Sequence, residues 1–182
     1  MTISPKYKRA LKRLLHELDR AILEDRAHNA LYPYSASLEG FLEVADTAIF
    51  NDMISHTMKV LDTHQDSLSF WYVFRQKEHE VRAFCAQNAV ALHEIETFSS
   101  SLKDIRNRTH NHIDKRDVFD PEAVWKRADL KHDQLTDVLK SLWQILDHLY
   151  ALEYGQPFGA PNYSGDDVEP IVQAANAAGI RL

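Results

Sequence analysis

Ser67-Leu-Ser-Phe-Trp-Tyr-Val-Phe-Arg-Gln-Lys-Glu-His-Glu-Val-Arg-Ala-Phe-Cys-Ala86 decides the fold class. Its aromatic core, Phe70 to Phe74, would serve as a buried strand if it stood alone. The residues after it carry no turn signal, and Val81 and Phe84 continue the apolar pattern at helical spacing. No second strand-like run lies nearby to pair with it. The spacing therefore predicts a helix over 67–86, and with it an all-α chain.

Working backwards, Thr63 to Ser67 is a polar turn. Residues 38–63 repeat at threes and fours, with Phe41, Val44, Ala45, Ala48, Ile49, Met53, Val60 and Leu61 on the apolar side. His56 falls near that stripe and reads as a hydrogen-bonded core histidine. Pro33 and its small polar neighbours mark residues 31–37 as a loop. Residues 5–29 form the first helix, with Leu11, Leu14, Leu15, Leu18, Ile22 and Leu23 on one face and Pro5 in the first turn. Its other face carries Lys8, Lys12, Arg13, Arg20 and Asp25, which suits the solvated side of a bundle helix, and otherwise a membrane surface or an RNA contact.

Working forwards, a helix begins near Ala89 with Leu92, Ile95, Phe98, Leu102, Ile105 and Thr109 in register. Asp120-Pro121 opens a short helix through Arg127, because a capping acid followed by proline is a helix-start signal. Asp133 caps a long helix to Tyr154 with the stripe Leu135, Val138, Leu139, Leu142, Ile145, Leu146 and Leu149. Three of the five glycines then fall at 155, 159 and 165 among prolines, so residues 155–182 read as an extended arm with a short helix over 168–178. The expected architecture is an up-and-down helical bundle of four to five helices over residues 1–154, followed by that arm.

Composition narrows the function. A net charge of -6 argues against a basic protein that coats nucleic acid, though a local basic site remains open. Cys85 is the single cysteine, so no intramolecular disulfide and no Cys-based zinc site can form. No apolar run reaches the ~18 residues of a membrane span, and a cytoplasmic protein is expected. The few glycines form no phosphate loop, dinucleotide fingerprint or nucleophile elbow. Ten histidines invite a metal reading, yet neither His-Glu-x-x-His nor paired Glu-x-x-His occurs, so no metal and no cofactor is expected.

Chemistry concentrates in Arg106-Asn107-Arg108-Thr109-His110-Asn111-His112-Ile113-Asp114-Lys115. Arginine offers a planar fork of donors to a phosphate, and histidine exchanges a proton near neutral pH. Those types suit RNA cleavage through its own 2′-hydroxyl, which needs a base, an acid and a cation against the charge building on phosphorus. On a regular helix Arg106 neighbours His110 at i+4, whereas His112 lies about 120° away. An Arg106–His112 site therefore needs a helix that ends near Asn111 or a second subunit. The plainer alternative is a basic helix C-terminus complementing its own dipole.

Arg106-Asn107 followed by His112, with five residues between Arg and His, resembles the Arg-x(4–6)-His signature of the HEPN superfamily. The full run is similar to the Arg-(Asp/Asn)-Lys-x-x-Ala-His-x-Asp-Lys pattern of its AbiU-type abortive-infection branch, and the likeness covers roughly residues 5–155. The resemblance implies a homodimer whose two motifs meet in one composite site. It also implies a metal-independent endoribonuclease acting in phage defence or beside a cognate antitoxin in a toxin–antitoxin system. Within it His112 would be the acid/base group, Arg106 the phosphate and transition-state ligand, and Asn107 the residue orienting them. Asp114 would steady the histidine, and Arg108, His110 and Lys115 would support the site or touch RNA. Asn111 departs from the branch's alanine. Position 114 is Asp, not the tyrosine that some relatives offer for adenylylation, so a nucleotidyltransferase antitoxin is not expected. Some members of this fold bind nucleic acid or protein without cutting, which is the alternative function.

Overall fold

The computed structural model describes residues 4–35, 40–106 and 126–179. Among them every regular element is helical, so the chain is all-α: α1 (Pro5–Ser35), α2 (Phe41–Val60), α3 (Phe70–Gln76), α4 (Glu78–Asn88), α5 (Leu92–Ile105), α6 (His132–Tyr154) and α7 (Val168–Ala177). A further helical turn spans residues 126–128, and residues 121–125 of the expected Asp120-Pro121 helix lie outside the described residues. No described helix is long and apolar enough to cross a membrane. The chain divides into two compact units, residues 1–18 with 57–159 and residues 19–56 with 160–182. The division falls inside α1 and again inside α2.

In the first unit the stripes stand where the periodicity puts them. Leu135, Val138, Leu139, Leu142, Ile145, Leu146 and Leu149 of α6 are buried, and so are Ile95, Phe98, Leu102 and Ile105 of α5. Each such side chain adds ~1.5–3 kcal/mol by leaving water, which is why these two helices anchor the unit. The N-cap of α6 comes two residues early: it is Lys131, and Asp133 sits in the first turn, where a carboxylate still faces the positive end of the helix. Gly155, at φ +76, ends α6 in the left-handed region. Phe158 then folds back, its N–H on Asp147 Oδ1 at 2.6 Å and its ring edge-on to Tyr150.

The single helix expected over 67–86 is two, broken at Lys77 (φ -137°, ψ 35°). Phe70, Phe74, Val81 and Cys85 are all buried, and Lys77 lies on the same stripe, three residues after Phe74 and four before Val81. An ammonium there needs a carboxylate. Lys77 Nζ finds Glu80 at 3.1 Å and Glu153, whose side chain is only 6% exposed, at 3.6 Å. Ala89, expected to start the next helix, instead caps α4 with φ +55.

In the second unit α1 runs on to Ser35, through the expected loop at Pro33. Proline there gives up the backbone hydrogen bond to the Asn29 carbonyl and crowds it, a cost that the last turn must offset. Tertiary contacts hold that last turn. Leu31 packs in a small core with Leu42 and Val172, and the Ser35 hydroxyl donates to Asp46 Oδ2 at 2.9 Å. Asp46 also takes His28 Nδ1 at 2.7 Å. Because Leu42 and Asp46 face inward, the first half of α2 is rotated from the expected stripe: Phe41 and Val44 are two-thirds exposed.

Candidate functional site

The last turn of α5 carries the one residue of the Arg–His stretch that the structure describes. Arg106 is the C-cap of α5, its N–H directed to the carbonyls of Leu102 and Lys103. Nη1 of its guanidinium donates to Asp62 Oδ1 at 2.6 Å, across 44 residues of sequence. Both side chains are roughly three-quarters buried. Asn107, Arg108, His110, His112, Asp114 and Lys115 lie outside the described residues.

Asp62 is fixed from several sides. It follows α2 in the polar turn, where the Ser67 hydroxyl and the His64 N–H (3.1 Å) both donate to its carboxylate. The carbonyl just before it, on Leu61, accepts from Trp71 Nε1 of α3 and from the Ser99 hydroxyl of α5, each at 3.1 Å. Trp71 Nε1 donates to Ser99 Oγ as well, so the three groups close a small ring. Ser99 is buried about two turns before Arg106 on the same helix, so the turn and α5 are tied together beside the guanidinium. Burial pushes the Asp62 carboxyl upward. The hydrogen bonds from Ser67, Arg106 and His64, and the Arg106 charge, outweigh it and hold the group below the ordinary carboxylate value.

This arrangement orients Arg106 and offsets part of its charge. Around it opens a cavity of about 380 Å³ lined by Thr63, His64, Gln65, Asp66, Lys103 and Arg106. Lys103 lies one turn before Arg106, so two cations border the same space. A second cavity of about 590 Å³ lies against α5 and α6. Among the described residues its wall carries Glu94, Asp129 and Asp137 and no lysine or arginine, which suits a polyanion poorly.

Sequence reasoning named Arg106 by residue type and spacing. It passed over Asp62, His64 and Lys103. The usable signal was Asp62-Thr-His-Gln-Asp-Ser67, a run of six polar side chains after a buried Leu61, read only as a turn. Periodicity cannot pair that turn with a helix so far along the chain.

No curated protein and no solved structure matches the chain. A family model does: AbiU2, of the HEPN type, over residues 4–169. The match takes in the whole stretch from Arg106 to Lys115 and extends beyond residue 155 into α7. With nearly all of its length matched, the chain belongs to the AbiU2 family of HEPN abortive-infection proteins.

Proposed function

We propose that the protein is a metal-independent endoribonuclease of HEPN type, with a composite Arg–His site formed by two copies of the chain. The observation that carries this reading is Arg106, held by Asp62 at the end of α5 and opening the Arg-Asn-Arg-Thr-His-Asn-His run inside the family-matched span. In the reaction, His112 takes the proton of an RNA 2′-hydroxyl, and the oxygen attacks the adjacent phosphorus. The bond to the 5′-oxygen breaks, and that oxygen takes a proton from the acid, which is the partner copy's histidine or His112 in its protonated form. The products are a 2′,3′-cyclic phosphate and a 5′-hydroxyl. Arg106 binds the phosphate and stabilises the charge that grows on it, while Asn107 orients the pair. In the cell this chemistry serves phage defence or a toxin restrained by a cognate antitoxin.

The test is cleavage of single-stranded RNA by the purified chain in EDTA, with the dimer followed by light scattering. His112→Ala and Arg106→Ala each abolish cleavage while the protein stays dimeric. Cleavage at the same rate in either variant refutes the assignment. The engagement of Arg106 by Asp62 favours one second reading, a module that binds RNA or a partner without turnover. Binding that needs Arg106, with no cyclic phosphate formed, decides for it.

A further inference from the structure

Within the second unit, Glu24 of α1 and Asp52 and His56 of α2 turn their donor atoms toward one point, all within 4.8 Å of one another. We propose that these three side chains form a binding site for a divalent transition-metal ion of the zinc type, which staples α1 to α2.

Within the triad the histidine stands apart from both carboxylates by more than a direct hydrogen bond, which leaves room for an ion between them. His56 Nε2 lies 3.7 Å from Asp52 Oδ1 and 3.9 Å from Glu24 Oε1. Both exceed the ~3.2 Å limit of an N–H···O hydrogen bond. In the same unit His28 and Asp46 show what a closed pair looks like, with Nδ1 and Oδ1 at 2.7 Å. An ion at the centre of a triangle with edges of this size sits about 2.2–2.4 Å from each corner, close to the ~2.0–2.2 Å that zinc takes with histidine nitrogen and carboxylate oxygen.

The local sequence builds the site. Asp52 and His56, at i and i+4, share one face of α2, and Glu24 closes the triangle from α1. The Glu24 and His56 side chains are 16% and 13% exposed, whereas that of Asp52 is 57% exposed. Two donors are thus held in place, and water can complete the coordination from the Asp52 side. One imidazole with two carboxylates is a borderline donor set, which favours Zn²⁺ over Mg²⁺, an ion that prefers oxygen alone. The site lies outside the Arg–His stretch, and nothing in it rests on ribonuclease activity.

The full-length protein, stripped with EDTA and dialysed, is titrated calorimetrically with Zn²⁺ alone and, separately, with Mg²⁺ alone. One Zn²⁺ binds per chain, and Mg²⁺ at the same concentrations does not. Asp52→Asn carries the test because that side chain is mostly exposed and its replacement leaves folding intact. It weakens Zn²⁺ at least tenfold, and His56→Gln does the same with unchanged circular dichroism. At a hundredfold excess over Kd, the ion raises the wild-type melting temperature by about 5–10 °C, and the rise is lost in both variants. Absence of stoichiometric uptake by the wild type overturns the proposal. So does uptake undiminished in Asp52→Asn, which would place the ion on other histidines.

Discussion

Replacing Asp62 with asparagine removes one charge and leaves the side chain's shape. In the native protein the carboxylate accepts from Arg106 at 2.6 Å, from the Ser67 hydroxyl and from the His64 N–H at 3.1 Å. Asparagine offers one acceptor oxygen, and its amide nitrogen meets donors head-on. At least one donor loses its partner, and the remaining bonds lose their charge assistance. Hydrogen bonds to charged groups contribute ~1.5–3 kcal/mol. With the two side chains 24% and 21% exposed, solvent screening reduces this to about 1–2 kcal/mol. The expected result is a melting temperature lower by about 2–8 °C at neutral pH. The folded-state carboxyl lies below its unfolded value, so its stabilisation is present above that unfolded value, near ~3.9. It is lost as pH falls through the lower, folded value. Urea unfolding of both proteins from about pH 6 downward measures this, and the gap between them closes in the acid range. A gap below about 0.3 kcal/mol at neutral pH, or one that stays constant into acid, refutes the reasoning. A double-mutant cycle with Arg106→Gln then isolates the pair.

Two further substitutions test the frame. Lys77→Met leaves the Glu153 carboxylate, 6% exposed, with Lys8 at 3.7 Å as its remaining described cation; urea unfolding should show a loss of about 2–4 kcal/mol, partly recovered by adding Glu153→Gln. Gly165→Ala forces a side chain onto φ +85, with its Cβ 2.7 Å from Ala30 Cβ and 3.2 Å from the Arg26 carbonyl; a loss of at least about 2 kcal/mol should appear as a lower melting temperature, and an unchanged one counts against the packing described.

The legible parts of the fold were those governed by local period. Seven apolar residues at threes and fours define one buried face of α6 without reference to anything else. The misread parts were settled by distant partners. Pro33 stays helical because Ser35 reaches Asp46 and Leu31 reaches Val172. Lys77 breaks a helix because Glu153 waits at its side. The apolar side of α2 shifts because Asp46 turns inward to His28. The same limit holds at the candidate site: Arg106 was legible from its own neighbours in sequence, while Asp62 is joined to it only by folding. Glu24 and the Asp52–His56 pair lie on separate helices, and no single helical period contains all three.

The second unit has a consequence for how the chain is made. Its small core joins Leu31 and Leu42 to Val172, and Arg26 Nη1 donates to the carbonyls of Pro161 and Tyr163. Translation delivers Leu42 more than a hundred residues before Val172. A nascent chain emerging from the ribosome therefore carries the α1–α2 pair with its apolar contacts open, and it closes them only when residues 160–177 arrive. Premature release before that point yields a polypeptide with an uncovered Leu31–Leu42 surface, the kind of product that chaperones retain and proteases clear. The order of synthesis thus sets when this surface is covered: only the arrival of Val172 completes it.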